Sequence, residues 1–228
     1  MSINNIDMGT STRIVADDIQ EILQLLKLNT NVSKIIAEQE EDWSLEPEVL
    51  FLVSEIVRQT RPHTIVEIGS YHGKSAISLA YLAATYGGTV YAVEKNQTFS
   101  NQILSEAIKH NLPLTIINKT SIEAFNDWGR ETVDLLIIDA DHNFSSEYID
   151  IAMWSSLLGP SGWMVIHDTL TRLDRRFPVD YFSAPFLFDI VDIVGLRERQ
   201  SSHSWEGVAF VRWCQTVRPL IETKFIKG

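Results

Sequence analysis

Cysteine is almost missing from this chain: Cys214 stands alone among 228 residues, so no disulfide can form within it. Neither a run of about 18 apolar residues nor a signal-peptide pattern is found, which speaks against a membrane span and for a soluble, cytoplasmic protein. Basic residues are in short supply, with 19 Lys and Arg against 30 Asp and Glu and a net charge of −11. A protein that grips nucleic acid sets Lys and Arg against phosphates, so DNA- and RNA-modifying activities are disfavoured. Internal repeats and low-complexity tracts are lacking too. What the chain has in quantity is apolar residues, 45% of the total. That is enough for one α/β core, while the length is too short for two comfortable domains.

The polar start, MSINNIDMGTST, reads as a loose tail. Ile14, Ile19, Ile22, Leu23, Leu25 and Leu26 then recur at helical spacing as far as about Asn29. Ser44-Leu-Glu-Pro47 opens a second helix with an N-cap and an early proline. Residues 1–60 are therefore expected to form a tail and helical extension, suited to lid or homo-oligomer contacts, ahead of one domain over 61–228. In that domain strands alternate with helices: TIVEIG, KSAISLAYLAATYG, TVYAVEK, TFSNQILSEAIKHN, LTIINK, SIEAFNDWG, VDLLIID, SSEYIDIAMWSSLL, the turn GPSG, then the strand WMVIHD. Such alternation specifies a parallel sheet covered on both faces. Beyond Asp168 the pattern breaks into an Arg-, Pro- and aromatic-rich segment and a helix near Pro185 to Val191. Two closing strands follow, GLRERQ and GVAFVRW, able to pair antiparallel across SSHSWE.

The stretch VEIGSYHGKS, Val66 to Ser75, ends like a nucleoside-triphosphate loop. It holds only Ser70, Tyr71 and His72 between Gly69 and Gly73, one residue too few. As a dinucleotide fingerprint it fails as well, because the position where a second glycine admits a pyrophosphate is the bulky Tyr71. What is left is an acid, Glu67, and a Gly-x-x-x-Gly loop at the end of an apolar strand. Ligands of doubly wound sheets sit at the carboxyl ends of the strands. There the glycines allow close approach and Glu67 can accept from a cationic or N–H group. The next strand ends in Glu94, 21 residues after Gly73, the spacing of an acid that accepts both hydroxyls of a ribose.

Taken together, VEIGSYHGKSAISLA, VYAVEK and IIDADHNFSSEYIDIAMWSSLLGPSGWMVIHDT resemble the class I S-adenosylmethionine-dependent methyltransferases. The resemblance is to the O-methyltransferase branch that includes metal-dependent catechol, caffeoyl-CoA and macrolide-sugar enzymes, and it runs from about Arg61 to Trp213. It implies a Rossmann-like fold: a seven-stranded, mostly parallel sheet with helices on both faces and an antiparallel C-terminal strand. It implies S-adenosylmethionine as cofactor, with Glu67, Gly69, Ser70, Tyr71, Gly73 and Ser75 around its methionine portion and Asp139 bordering it. Glu94 would take the ribose and Ser121, beside Thr120, the adenine edge. Many relatives carry Asp where Thr120 stands.

IIDADH sets Asp139 and Asp141 at the exit of the fourth strand, and VIHDT sets His167 and Asp168 at the exit of the fifth. The resemblance makes these strands neighbours, about 4.8 Å apart. Two carboxylates about 5 Å apart repel by roughly 3 kcal/mol at an effective dielectric of 20. A shared proton, a basic neighbour or a divalent cation must offset this. The resemblance selects the cation, Mg²⁺ or Mn²⁺, with Asp139 and Asp168 as ligands and His167 preferred over Thr169 as the third. The implied reaction is methyl transfer to a hydroxyl of a small molecule, a sugar, phenol or natural-product intermediate. Asp141 is the implied base, with His142 as second choice. Arg172, Arg175, Arg176, Phe177, Tyr181 and Phe182 could select the acceptor, while a solvated charge run and core packing are the plainer roles for them. Two alternatives stay open. One is the same fold without metal, using His142 or His167 as base toward O or N; the other is a non-catalytic or nicotinamide-binding module, which Tyr71 disfavours.

Overall fold

The computed structural model describes residues 45, 47–129, 132–141, 143–168, 188–193 and 208–213. Short apolar runs bounded by turns form the strands β1 (Thr64–Ile68), β2 (Thr89–Val93), β3 (Leu114–Ile117), β4 (Val133–Ile138), β5 (Leu158–His167), β6 (Phe188–Ile193) and β7 (Val208–Trp213). Helix α1 (Pro47–Thr60) precedes β1. Helices α2 (Lys74–Ala84), α3 (Gln97–Lys109), α4 (Ser121–Asn126) and α5 (Phe144–Trp154) follow the first four strands in turn. The strands join one sheet in the order β3-β2-β1-β4-β5-β7-β6. The first five are parallel, and β7 runs antiparallel to both β5 and β6. Seven strands in this arrangement meet the expectation, and the chain reverses its winding between β1 and β4, the place where such sheets bind ligands.

Local chemistry sets the helix starts. The Asn96 side chain accepts from the N–H groups of Thr98 and Phe99, Thr120 and Glu123 form a reciprocal capping box, and Asn143 accepts from Ser146 N–H. Pro47 opens α1, as its fixed φ allows. Strand alternation then divides the core in two: Leu135 and Ile137 of β4 face one side, Leu136 and Ile138 the other. The first side packs on Leu50, Val53 and Val57 of α1 and Leu79, Ala80 and Ala83 of α2. On the second side lie Trp128 and, from α5, Ile151 and Trp154.

Two expectations are corrected. Residues 188–193 form strand β6 instead of the end of a helix reaching Val191. Ile190, Val191 and Ile193 are β-branched and lose side-chain freedom in a helix, and pairing with β7 satisfies their backbone. GPSG is not a free turn either: Gly159 to Gly162 lie inside β5, whose pairing with β4 shifts register between Val133 and Leu135, an irregularity that absorbs the extra residues. The helix expected over Ile14 to Asn29, the cap Ser44, the strand GLRERQ and the loop SSHSWE lie outside the described residues. So do His142, Thr169, Arg172, Arg175, Arg176, Phe177, Tyr181 and Phe182. Among the described residues no helix is long and apolar enough to cross a membrane.

Candidate active site

The turn from β1 into α2 is shaped by contacts with the protein itself. Gly69 (φ 88°) and Gly73 (φ 76°) are both left-handed. A Cβ on Gly69 would lie 2.2 Å from the Asp139 carbonyl oxygen, and one on Gly73 2.4 Å from Ile103 Cγ1. The glycines read as aids to ligand approach are therefore also demanded by the end of β4 and by α3. Tyr71, between them, has φ 45° and donates its N–H to Glu94 Oε2 at 2.8 Å. The group that a dinucleotide loop turns toward a pyrophosphate is here engaged by an acid. Glu94 Oε1 accepts from Asn96 N–H at 2.6 Å. A carboxylate offers about four acceptor positions, so two remain for a ribose diol.

Beneath this loop Glu67 is 1% exposed, and among the described residues none is hydrogen-bonded to its Oε2. Burial pushes the Glu67 carboxyl up to about 7; the Ser75 and Ser70 hydroxyls beside it oppose the rise, and Asp139 and Glu94 add to it. A buried acid with an orphaned oxygen is what a cationic ligand group would complete.

Above the strand ends opens a cleft of about 610 Å³, the size of a small-ligand site. Of the candidate site residues Gly69, Tyr71, Glu94, Ser121, Asp139 and Asp141 line it, together with Lys95, Phe99, Ile122, Ile149 and Asp150, which the sequence did not single out. Asp141 pairs with Lys95 at 2.8 Å, both side chains more than half exposed. The cap of α5 falls to Asn143 and not to Asp141. Ser121 donates its hydroxyl hydrogen to Asp150 and accepts from Trp154 Nε1 at 2.8 Å, so that hydroxyl is engaged by the scaffold. A signal for Asp150 did exist. Glu147, Asp150, Ile151 and Trp154 follow helical spacing and are all buried, which puts acids in the apolar stripe of α5.

Parallel pairing sets Ile138 opposite Ile166, so Asp139 and His167 leave the sheet side by side. Successive strand residues point to opposite faces, which would separate His167 from Asp168. Strand β5 ends at His167, however, and Asp168 takes φ 60°, a left-handed turn that Asp tolerates better than most residues. The imidazole Nδ1 then lies 3.1 Å from Asp139 Oδ1 and 3.1 Å from Asp168 Oδ1. One ligand atom from each of the three lies within 4.8 Å of the others. Two carboxylate oxygens and one imidazole nitrogen, set in side chains 8–11% exposed, suit a divalent cation.

Residues 66–169 match the family described as a methyltransferase domain. Among solved structures the chain is similar to the O-methyltransferase from Bacillus cereus in complex with SAH, at 17% identity and TM-score 0.63 over 86% of this chain and 90% of that one. It is likewise similar to the O-methyltransferase TomG from Streptomyces achromogenes, involved in tomaymycin synthesis and in complex with SAM, at 14% identity and TM-score 0.61 over 80% and 88% of the two chains. An uncharacterized protein, y4gI, of Sinorhizobium fredii is 28% identical over 129 residues, which are 51% of this chain. The match spans 14% of that relative's length. Sheet order, glycine loop and strand-end acids agree with the match of residues 66–169 to a methyltransferase domain, and the fold is that of the solved O-methyltransferases.

Proposed function

We infer that this protein transfers a methyl group from S-adenosylmethionine to a hydroxyl of a small molecule, with Mg²⁺ or Mn²⁺ held by Asp139, His167 and Asp168. The observation that carries this reading is the convergence of those three side chains at the ends of β4 and β5, with Asp139 also lining the cleft. When bound, such an ion lowers the pKa of an acceptor hydroxyl and orients it. The chain's own residues do the rest. Glu67 faces the cofactor's ammonium group, Glu94 accepts from its ribose, and Tyr71 lies beside it. Asp141, released from Lys95, takes the acceptor's proton. A second reading draws on the contacts of His167 Nδ1 with both carboxylates. In it the neutral imidazole donates its Nδ1–H between the two carboxylates without an ion, and its Nε2 is the base of a metal-independent methyltransferase.

Calorimetry on the purified chain is expected to show binding of S-adenosylmethionine and none of NAD. Methyl-labelled cofactor should then label an O-methyl product among sugars, phenols and natural-product alcohols. Binding of NAD in place of S-adenosylmethionine overturns the reading. Glu94→Ala is expected to weaken S-adenosylmethionine binding by about 1.5–3 kcal/mol, the range for a hydrogen bond to a charged group. It should also lower the melting temperature, because the N–H groups of Tyr71 and Asn96 lose their acceptor. A lower melting temperature with unchanged affinity would leave Glu94 as a brace for the loop alone.

A further inference from the structure

Lys95 stands just past the end of β2 and Asp141 just past the end of β4, and both line the cleft. Strand β1 lies between β2 and β4 in the sheet, so the two exits are about 10 Å apart, twice the strand spacing. The Lys95 side chain nevertheless closes that gap: its Nζ donates to Asp141 Oδ1 at 2.8 Å. The link therefore crosses the exit of β1, where the glycine turn begins at Gly69. Lys119, the other lysine lining the cleft, is paired with Asp127 instead.

Both ends of the link are mounted on rigid backbone. Before Lys95, the Glu94 carbonyl accepts from the Ser100 hydroxyl at 3.0 Å and the Asn118 amide at 2.8 Å; after it, Asn96 caps α3. On the other wall the Asp141 carbonyl accepts from Asn143 N–H at 2.9 Å, and Asn143 caps α5. The link itself is soft, because its side chains are 59% and 55% exposed, and an exposed pair contributes little and weakens with salt. It also stands over the cleft and not beside it. Burial pushes the carboxyl of Asp150, another cleft residue, up to about 6; the Ser121 hydrogen bond opposes this, Asp141 adds to it and Lys95 lowers it, so both ends of the pair act on the same buried acid.

We propose that the Lys95–Asp141 pair is a strap across the mouth of the cleft: closed, it retains the cofactor or its demethylated product, and open, it lets them exchange and frees Asp141. Lys95 is thereby a positioning residue that ties the availability of Asp141 to the opening of the cleft. This rests on the reading of the cleft as the S-adenosylmethionine site. Stopped-flow release of S-adenosylhomocysteine from the full chain, at low and at high salt, tests it. That ligand carries no net charge near pH 7, and wild-type release is expected to quicken about two- to fivefold as salt screens the pair. Lys95→Met keeps a stem without the charge, so its release should be faster by the same factor at low salt and nearly indifferent to salt. Lys95→Arg keeps a cation within reach of Asp141 and is expected to behave as the wild type. Equal rates and equal salt dependence in wild type and Lys95→Met overturn the proposal and leave the cofactor reading standing, as does an arginine variant that releases like the methionine one. No binding of S-adenosylhomocysteine to the wild-type chain overturns that underlying reading instead.

Discussion

Asp139→Asn and Asp168→Asn are each expected to cut methyl-transfer turnover by about 10²–10³-fold, the scale for removing one electrostatic stabiliser of a reacting centre, without lowering the melting temperature. The two carboxylates and the His167 imidazole offer ligand atoms within 4.8 Å of one another. At that separation two charges repel by about 3 kcal/mol at an effective dielectric of 20. Either substitution relieves the repulsion and still leaves His167 Nδ1 one carboxylate partner. Activity and stability should therefore move apart, which a general packing defect would not produce. EDTA is expected to abolish turnover and Mg²⁺ or Mn²⁺ to restore it, while S-adenosylmethionine affinity changes little. A double variant should lose little beyond the worse single one, since residues that act as a unit are not additive. Turnover assays, thermal melts and elemental analysis of the purified protein check this together. Full turnover in chelated protein with no ion bound would leave the metal-independent reading with His167 as base.

Glu67→Gln is expected to stabilise the cofactor-free protein by about 3 kcal/mol above pH 7 and to leave it unchanged near pH 4. The carboxyl titrates at about 7 in the fold against 4.5 for an ordinary glutamate, with burial as the main cause. A rise of that size corresponds to about 3 kcal/mol. The sign follows from proton counting. Between the two values the folded chain holds a proton that the unfolded chain has released, so wild-type stability falls as pH climbs through that window and stays low above it. The amide keeps the size and has no charge to bury, so its stability should lack this slope. Cofactor binding should move the opposite way. A cationic group at Glu67 favours the ionised acid, so wild-type affinity grows as pH rises toward 7, and the variant loses that gain. Subtracting the two pH profiles cancels titration of the ligand itself. Urea melts and calorimetry between pH 4 and 8 decide it, and parallel curves for the two proteins would show that Glu67 is not the responsible group.

Much of this site could be read along the chain, because it rests on local patterns. The alternation of strands and helices follows from side-chain periodicity, and the acids Glu67, Glu94, Asp139 and Asp168 sit where apolar runs end. Tyr71 excluded a pyrophosphate through its bulk alone, and the structure adds that its N–H is held by Glu94. The strand β6 was missed because residues 188–193 become a strand only by pairing with β7, a contact that propensity does not contain. Tertiary structure alone decided the rest. His167 meets Asp139 because β4 and β5 are neighbours in register, and Asp168 joins them because its backbone turns left-handed where β5 ends. Gly69 is required by the carbonyl of Asp139, 70 residues away, a close approach that no local spacing announces. Ser121 shows the same limit from the other side. The resemblance marked it for the cofactor, while Asp150 and Trp154, brought to it by the packing of α5 on α4, take up its hydroxyl and leave the buried acid facing the cleft.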